Sequence, residues 1–211
     1  MYLSRIKLNT SLTRTMQALA APNLFHGAVE AAEGNERTRK LWRTDTLNNE
    51  SYLLILSEKQ IDFSSVAEQF GYNSTFESKC YDSLLERIKD GTRWQFRLKA
   101  NPTVEKYDEA KSKGKIIAHI TPFYQKEWLK KRTEKNGFSF DDDECLVTAS
   151  KWYRFRKQKG SKNIVSLLSV TYEGILTVTD AELFRKALVN GIGREKAYGL
   201  GMMTVSGIKY E

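Results

Sequence analysis

The stretch Gly191-Ile-Gly193-Arg194-Glu-Lys196-Ala-Tyr-Gly199-Leu-Gly201, followed by the strand-like Met202-Met203-Thr204-Val205, decides how the rest is read. Asp180-Ala-Glu-Leu-Phe-Arg-Lys-Ala-Leu-Val runs into it with helical spacing, and Thr179 and Glu182 are placed as a capping box. The order is therefore helix, glycine loop, strand. A dinucleotide-binding G-x-G-x-x-G follows a strand and opens a helix, whose amino end faces the pyrophosphate. The reversed order here disfavours that class. Gly191 reads as a helix C-cap, and Gly199 and Gly201 as positions where another chain's backbone comes close. A turn with no ligand is the plain alternative; Arg194 and Lys196 in the same loop favour a phosphate.

Working outward, the chain shows one order of elements twice. Tyr2, Ser4, Ile6 and Leu8 alternate with Leu3, Arg5 and Lys7, the period of a half-buried strand with a basic face. A polar loop follows, then a helix that tolerates Pro22 in its first turn and repeats Phe25, Ala28, Val29 and Ala32 at helical spacing. His26 lies about 100° round from Phe25, on the flank of Glu30 and Glu33. Two strands joined through Asn48-Asn49 come next, then a weak helix over 61–70. Trp94-Gln-Phe-Arg-Leu-Lys-Ala-Asn-Pro102 is the clearest strand, expected to complete the first sheet and to add Arg97 and Lys99 to the basic face of Arg5 and Lys7. After the charge-rich run 104–115, strand, helix, two strands around Gly160, helix and final strand repeat the pattern. The expected fold is α+β, two tandem ferredoxin-like (RRM-like, βαββαβ) domains spanning 1–107 and 115–211 with a linker at 108–114.

The 211 residues carry 34 Lys and Arg against 26 Asp and Glu, a net charge of +8, which points to an acidic partner such as nucleic acid. No apolar run approaches a membrane span and the start is too polar for a signal peptide, so a cytoplasmic protein without a membrane partner is expected. Cys80 and Cys145 have neither zinc nor disulfide spacing. With two histidines in the chain, a His-based metal site is poorly supplied, and no metal or cofactor is expected. Asp141-Asp-Asp-Glu144 reads as a solvated loop more readily than as a divalent-ion site.

Lys151-Trp-Tyr-Arg154-Phe-Arg156-Lys157-Gln-Lys159-Gly-Ser-Lys162 holds six cations, three aromatics and no acid. As a protruding hairpin it would reach across a nucleic-acid groove and neutralise phosphates; the alternative is an edge hairpin kept soluble by its lysines. His26 is the candidate general acid or base, since imidazole as a class titrates near neutrality, although a lone rim histidine is commonly just a surface residue. His119, among Ile116-Ile-Ala-His-Ile, reads as structural.

Met1-Tyr-Leu-Ser-Arg, His26 in the first helix, Phe96-Arg-Leu-Lys-Ala-Asn-Pro102, Glu173-Gly-Ile-Leu-Thr-Val-Thr-Asp180 and the glycine loop through Val205 together closely resemble the CasE family, the CRISPR RNA-processing endoribonucleases of bacterial type I-E systems within the RAMP superfamily. The resemblance runs from end to end and is weakest over 71–91 and 138–150. It implies two ferredoxin-like domains that bind the stem-loop of a CRISPR repeat transcript and cut once at the base of the stem. It implies attack by the 2′-hydroxyl without metal, leaving a 2′,3′-cyclic phosphate and a 5′-hydroxyl. It also implies retention of the product and assembly with the other type I-E Cascade subunits.

His26 falls on the family's catalytic histidine. A tyrosine before that histidine and a lysine after it assist in some members; here those places hold Asn23 and Ala31. Arg37, Arg39, Lys40 and Arg43 are the candidate transition-state cations. The resemblance assigns RNA contacts to Arg154, Arg156, Lys157 and Lys159, and the glycine loop contributes Gly191, Gly193, Arg194, Lys196, Gly199 and Gly201. The alternative function is a RAMP-type subunit that binds guide RNA without cutting it.

Overall fold

The computed structural model describes residues 1–33, 38–73, 75–108, 113–157 and 163–208. Its first sheet contains β1 (Tyr2–Lys7), β2 (Lys40–Leu47), β3 (Glu50–Ser57) and β4 (Glu77–Cys80), in the order β2-β3-β1-β4 and antiparallel throughout. The alternation in β1 sets the faces: Ser4 and Ile6 are buried, while Arg5 and Lys7 point the other way and pair with Glu77 and Glu50. β2 and β3 meet at Asn48-Asn49, whose φ of 51° and 62° are the left-handed pair that a two-residue hairpin needs. Three helices cover the buried face: α1 (Thr13–Ala20), α2 (Asn23–Ala31) and α3 (Ser64–Phe70). Phe25 of α2 sits 4.9 Å from the Phe70 ring and 5.8 Å from that of Trp42, in a core with Val29, Leu53, Ile55 and Phe63. Each such side chain contributes roughly 1.5–3 kcal/mol by leaving water. α1 replaces the expected polar loop: its Thr15 and Ala18 are buried, and the Thr15 hydroxyl donates to the Phe70 carbonyl at 2.9 Å.

The strand over 93–100 does not complete this sheet. It is β5 (Arg93–Ala100), and it pairs with β10 (Ile164–Val178) and β11 (Met203–Ser206) in a second sheet, where β8 (Phe138–Ser139) and β9 (Cys145–Arg156) also flank β10. Period-two alternation tells which face of a strand is buried, not which strands lie beside it. The fourth place in the first sheet goes to β4, an edge strand with mostly exposed side chains and so no apolar signal. The first unit therefore closes at β4, short of residue 107, and α4 (Asp82–Arg87) leads to the second. The expected linker, 108–114, belongs to a hairpin of β6 (Thr103–Asp108) and β7 (Lys113–Ala118), with 109–112 outside the described residues. β7, expected to open the second unit, pairs with β6 in a two-stranded sheet of its own. Arg97 and Lys99 consequently lie on a different sheet from Arg5 and Lys7.

Both units nonetheless have the ferredoxin-like strand order, β2-β3-β1-β4 in the first and β9-β10-β5-β11 in the second. α5 (Pro122–Lys130) and α6 (Ala181–Asn190) cover one face of the second sheet, packing Trp128, Leu129, Phe184 and Leu188 against Trp94, Phe96, Leu98 and Tyr172. α6 is capped by Asp180, one residue beyond the expected Thr179; its carboxylate accepts from the Leu183 N–H at 2.9 Å. β10 has 15 residues and so runs about 50 Å. β5 pairs with Val170–Thr177 alone, leaving Ile164–Ser169 and the facing part of β9 to project as a two-stranded ribbon.

Across the seam, Leu41 and Leu56 of the first sheet's open face pack with Tyr81 and Met202. Arg43 crosses it as a buried pin, donating to the carbonyls of Arg97 (2.7 Å) and Met202 (2.9 Å), to Asp45 (2.6 Å) and to the Thr204 hydroxyl (2.8 Å). Burial works to raise the Asp45 pKa, but the Arg43 guanidinium, with Lys99 and Arg97, outweighs it and holds the carboxyl below its usual range. No helix among the described residues is long and apolar enough to cross a membrane.

Candidate nucleic-acid interface

α2 is clamped by its apolar face, where Phe25, Ala28 and Val29 are buried, and this leaves His26 half-buried on the flank. Against α2 packs the short 3-10 helix Lys196–Tyr198 at the centre of the glycine loop. The Tyr198 ring meets Phe155 of the ribbon edge-on at 5.1 Å, and Phe155 shares a buried cluster with Leu167, Leu200 and Ala21, the residue that joins α1 to α2. Histidine helix, glycine loop and basic ribbon, separate in sequence, are thereby packed side by side.

Of the four candidate cations near α2, Arg39 remains available. It donates to the Asn190 side chain at 2.5 Å, at the end of α6, and lies close enough to Lys196 to act on its titration. Burial first, then the Arg39 charge, lower the Lys196 pKa, as expected for two cations held close together. Lys40 does not reach the site: its ammonium is buried, paired with Glu33 and 3.9 Å from Glu30. Arg43 does not reach it either, being the seam pin described above, 1% exposed. Both are cations just past the helix, and burial of both faces of β2 is what removes them, Lys40 on the helix side and Arg43 on the seam side. Arg37 lies outside the described residues.

The ribbon exposes Arg154, Arg156 and Lys157, while Phe155 points to the loop; Lys159 lies outside the described residues. Arg194 is exposed in the glycine loop. Gly199 and Gly201 are buried and do not admit an outside backbone. At Gly199, with φ +75°, a Cβ would lie 2.5 Å from the Trp42 ring; at Gly201 it would meet the Ile192 carbonyl at 3.0 Å. Gly193 faces Trp128 in the same way, 3.0 Å from its ring, and Gly191 ends α6 beside Leu41. These glycines let the loop fold down onto two tryptophans, which holds Arg194 and Lys196 at the surface above them.

A small cavity beneath the loop is lined by Trp42, Tyr153, Tyr198 and Lys99, a grouping that sequence reasoning missed. Lys99 donates to the Thr44 carbonyl, and burial pushes its pKa down to about 8. The acidic run does not form a cluster: Asp142 pairs with Lys130 at 3.0 Å and Glu144 with Arg93. No group of three or more metal-ligating side chains occurs among the described residues.

The chain and its fold have counterparts among known proteins. The family model described as CRISPR associated protein matches residues 1–206. The CRISPR-associated endoribonuclease Cse3 of Thermus thermophilus is 30% identical over 219 residues, covering 98% of this chain and all of that one. A solved structure of CRISPR endoribonuclease Cse3 bound to 19 nt RNA matches with a TM-score of 0.80 at 27% identity, over 98% of this chain and 100% of that one. Thermus thermophilus Cse3 bound to an RNA representing a pre-cleavage complex matches with a TM-score of 0.78 at 27% identity, over 98% of both chains.

Proposed function

Because the chain belongs to the family of CRISPR associated proteins, we propose that it is an endoribonuclease that binds the stem-loop of a CRISPR repeat transcript and cuts it at the base of the stem. The observation that carries this reading is the packing of His26's helix against a cationic glycine loop and a protruding basic ribbon. The ribbon, with Arg154, Arg156 and Lys157, lies along the backbone of the stem, where A-form grooves offer shape and phosphates more than base edges. The loop and Arg39 bring positive charge to the phosphate to be cut.

The chemistry is attack of the 2′-hydroxyl on the adjacent phosphorus. The P–O bond to the 5′-oxygen breaks, leaving a 2′,3′-cyclic phosphate and a 5′-hydroxyl, and no metal takes part. His26 takes the proton from the 2′-hydroxyl or supplies one to the leaving oxygen. Arg39 and Lys196 stabilise the negative charge that accumulates on the phosphoryl oxygens, a role worth several kcal/mol at preorganised sites of this type. With Asn23 and Ala31 where some members carry assisting side chains, Arg39 and Lys196 supply that help from β2's entry and the second unit. The product stays bound and enters a surveillance complex with other CRISPR subunits in the cytoplasm.

The test is cleavage of an end-labelled repeat hairpin in excess EDTA, beside the same RNA with a 2′-deoxy sugar before the scissile phosphate. One cut in the all-ribose RNA and none in the deoxy RNA is expected, and His26→Ala should abolish the cut while leaving hairpin affinity within about threefold. Tight binding with no cut in either RNA would indicate a guide-binding subunit instead. A wild-type rate in His26→Ala would remove His26 from the chemistry.

A further inference from the structure

A second groove lies on the second unit, between the β6–β7 hairpin and α5. It encloses about 340 Å³, the size of a ligand cleft, and is lined by His119, Tyr124, Trp128, Lys131 and Arg132. Its walls are tied together: the His119 N–H donates to the Pro102 carbonyl at 2.8 Å, and the buried Gln125 amide donates to the carbonyls of His119 (3.0 Å) and Ile120 (2.9 Å).

Three observations concern its occupant. The His119 and Tyr124 rings are stacked, 5.9 Å apart with 22° between planes, and Phe123 meets Tyr124 edge-on at 5.3 Å. Tyr124 and Phe123 are 56% and 68% exposed, so the aromatic faces are open at the surface. Around them stand Lys106, Lys131 and Arg132, none in an ion pair among the described residues, and Arg132 lies 4.0 Å over the Trp128 ring. Burial, then those three cations, hold the His119 pKa below its usual value, which keeps the ring neutral and suited to stacking. Glu105 and Glu127 also line the groove, so the cations exceed the acids by one. Trp128, its 3% exposed floor, has an indole N–H with no partner.

Open aromatic faces beside cations in excess of acids are what unpaired nucleotides require: bases stack and phosphates lie along the charges. The groove also abuts the glycine loop, since Trp128 is the ring on which Gly193 rests. β5 ends at Ala100, opposite Val170 where the ribbon begins to project, and β6 starts there, so ribbon, glycine loop and groove share one end of the second sheet. We propose that the groove between the β6–β7 hairpin and α5 binds a single-stranded RNA segment adjoining the stem-loop. The proposal rests on the RNA-processing reading and extends its footprint beyond the stem.

The test uses fluorescence anisotropy on the full chain with three uncleavable deoxy-substituted probes: the bare stem-loop, and the stem-loop with about eight unpaired nucleotides on its 5′ or its 3′ side. Wild type should bind one flanked probe about tenfold more tightly than the bare one. The variant carrying Tyr124→Ala and Lys131→Ala, both exposed side chains, should lose that increment and keep both its bare stem-loop affinity and its cleavage rate. Lys106→Glu should reduce the increment separately. Equal affinity of wild type for all three probes, or a full increment in the double variant, would overturn the proposal and leave Ile120, Phe123 and Tyr124 to a protein partner. Failure of wild type to bind the bare stem-loop would instead sink the RNA-processing reading itself.

Discussion

Arg43→Met separates a structural arginine from a catalytic one. The guanidinium is 1% exposed; it donates across the seam to two backbone carbonyls and one hydroxyl, and along its own strand to the Asp45 carboxylate. Removing it leaves Asp45 with its nearest cation gone, and breaking a buried pair from one side costs about 3–5 kcal/mol. Arg97 stays 3.6 Å from Asp45 and Lys99 stays nearby, so the lower end, about 3 kcal/mol, is expected. In a chain of this length about 1 kcal/mol moves Tm by about 2–4 °C, which gives a fall of about 6–12 °C. Thermal unfolding by circular dichroism measures this, and single-turnover cleavage well below the transition measures the chemistry. The cleavage rate of the folded variant should stay within about threefold of wild type. A variant of unchanged Tm that cleaves about a hundredfold more slowly would show that Arg43 acts at the phosphate and that the assignment to the seam is wrong.

Gly199→Ala places a Cβ 2.5 Å from the Trp42 ring at a φ of +75°, so it should destabilise the chain by about 2 kcal/mol or more and slow cleavage as the loop lifts; wild-type Tm and rate would mean that Trp42 yields freely. Replacing Arg154 and Arg156 together with Ala should weaken hairpin binding and lower the slope of log affinity against log salt by about two, and an unchanged slope would place the ribbon off the RNA. Lys99 has a folded pKa of about 8 against 10.5, so its protonated form is disfavoured in the folded state. That penalty is fully present below pH 8 and disappears as pH rises towards 10.5, at most about 3 kcal/mol. The Tm of Lys99→Met relative to wild type should therefore fall between about pH 7 and pH 10; a pH-independent difference would contradict it.

The parts of the fold legible in the sequence are those where burial of one face leaves a pattern in the chain. β1 alternates Ser4 and Ile6 with Arg5 and Lys7 because one face meets helices and the other water, and Asn48-Asn49 signals its turn through residues that tolerate positive φ. α1, short and polar on its outer face, reads as loop. β4 shows no alternation because its side chains are mostly exposed, and β5, whose alternation is clear, reveals no neighbour. Exchanging those two strands is what moved the expected boundary to 107. In the site, His26, Arg39, Arg154 and Lys196 are legible as residue types. That Arg43 and Lys40 are buried and engaged depends on the opposite sheet and on Glu33, and no local pattern records either. Trp42, the support of Gly199, reads as an ordinary strand residue until the loop folds onto it.

The bracing of the glycine loop by Trp42 and Leu41 also has a consequence in time. Ribosomes add about 5–20 residues per second, so α2 leaves the tunnel on the order of ten seconds or more before Lys196 does. Through that interval the nascent chain carries its histidine with no cationic loop beside it, and the Trp42 surface that will hold Gly199 stands open. The helix bearing His26 is thus made early, with Arg39 soon after it, and the loop cations Arg194 and Lys196 late. The candidate site is therefore assembled only when synthesis is nearly complete.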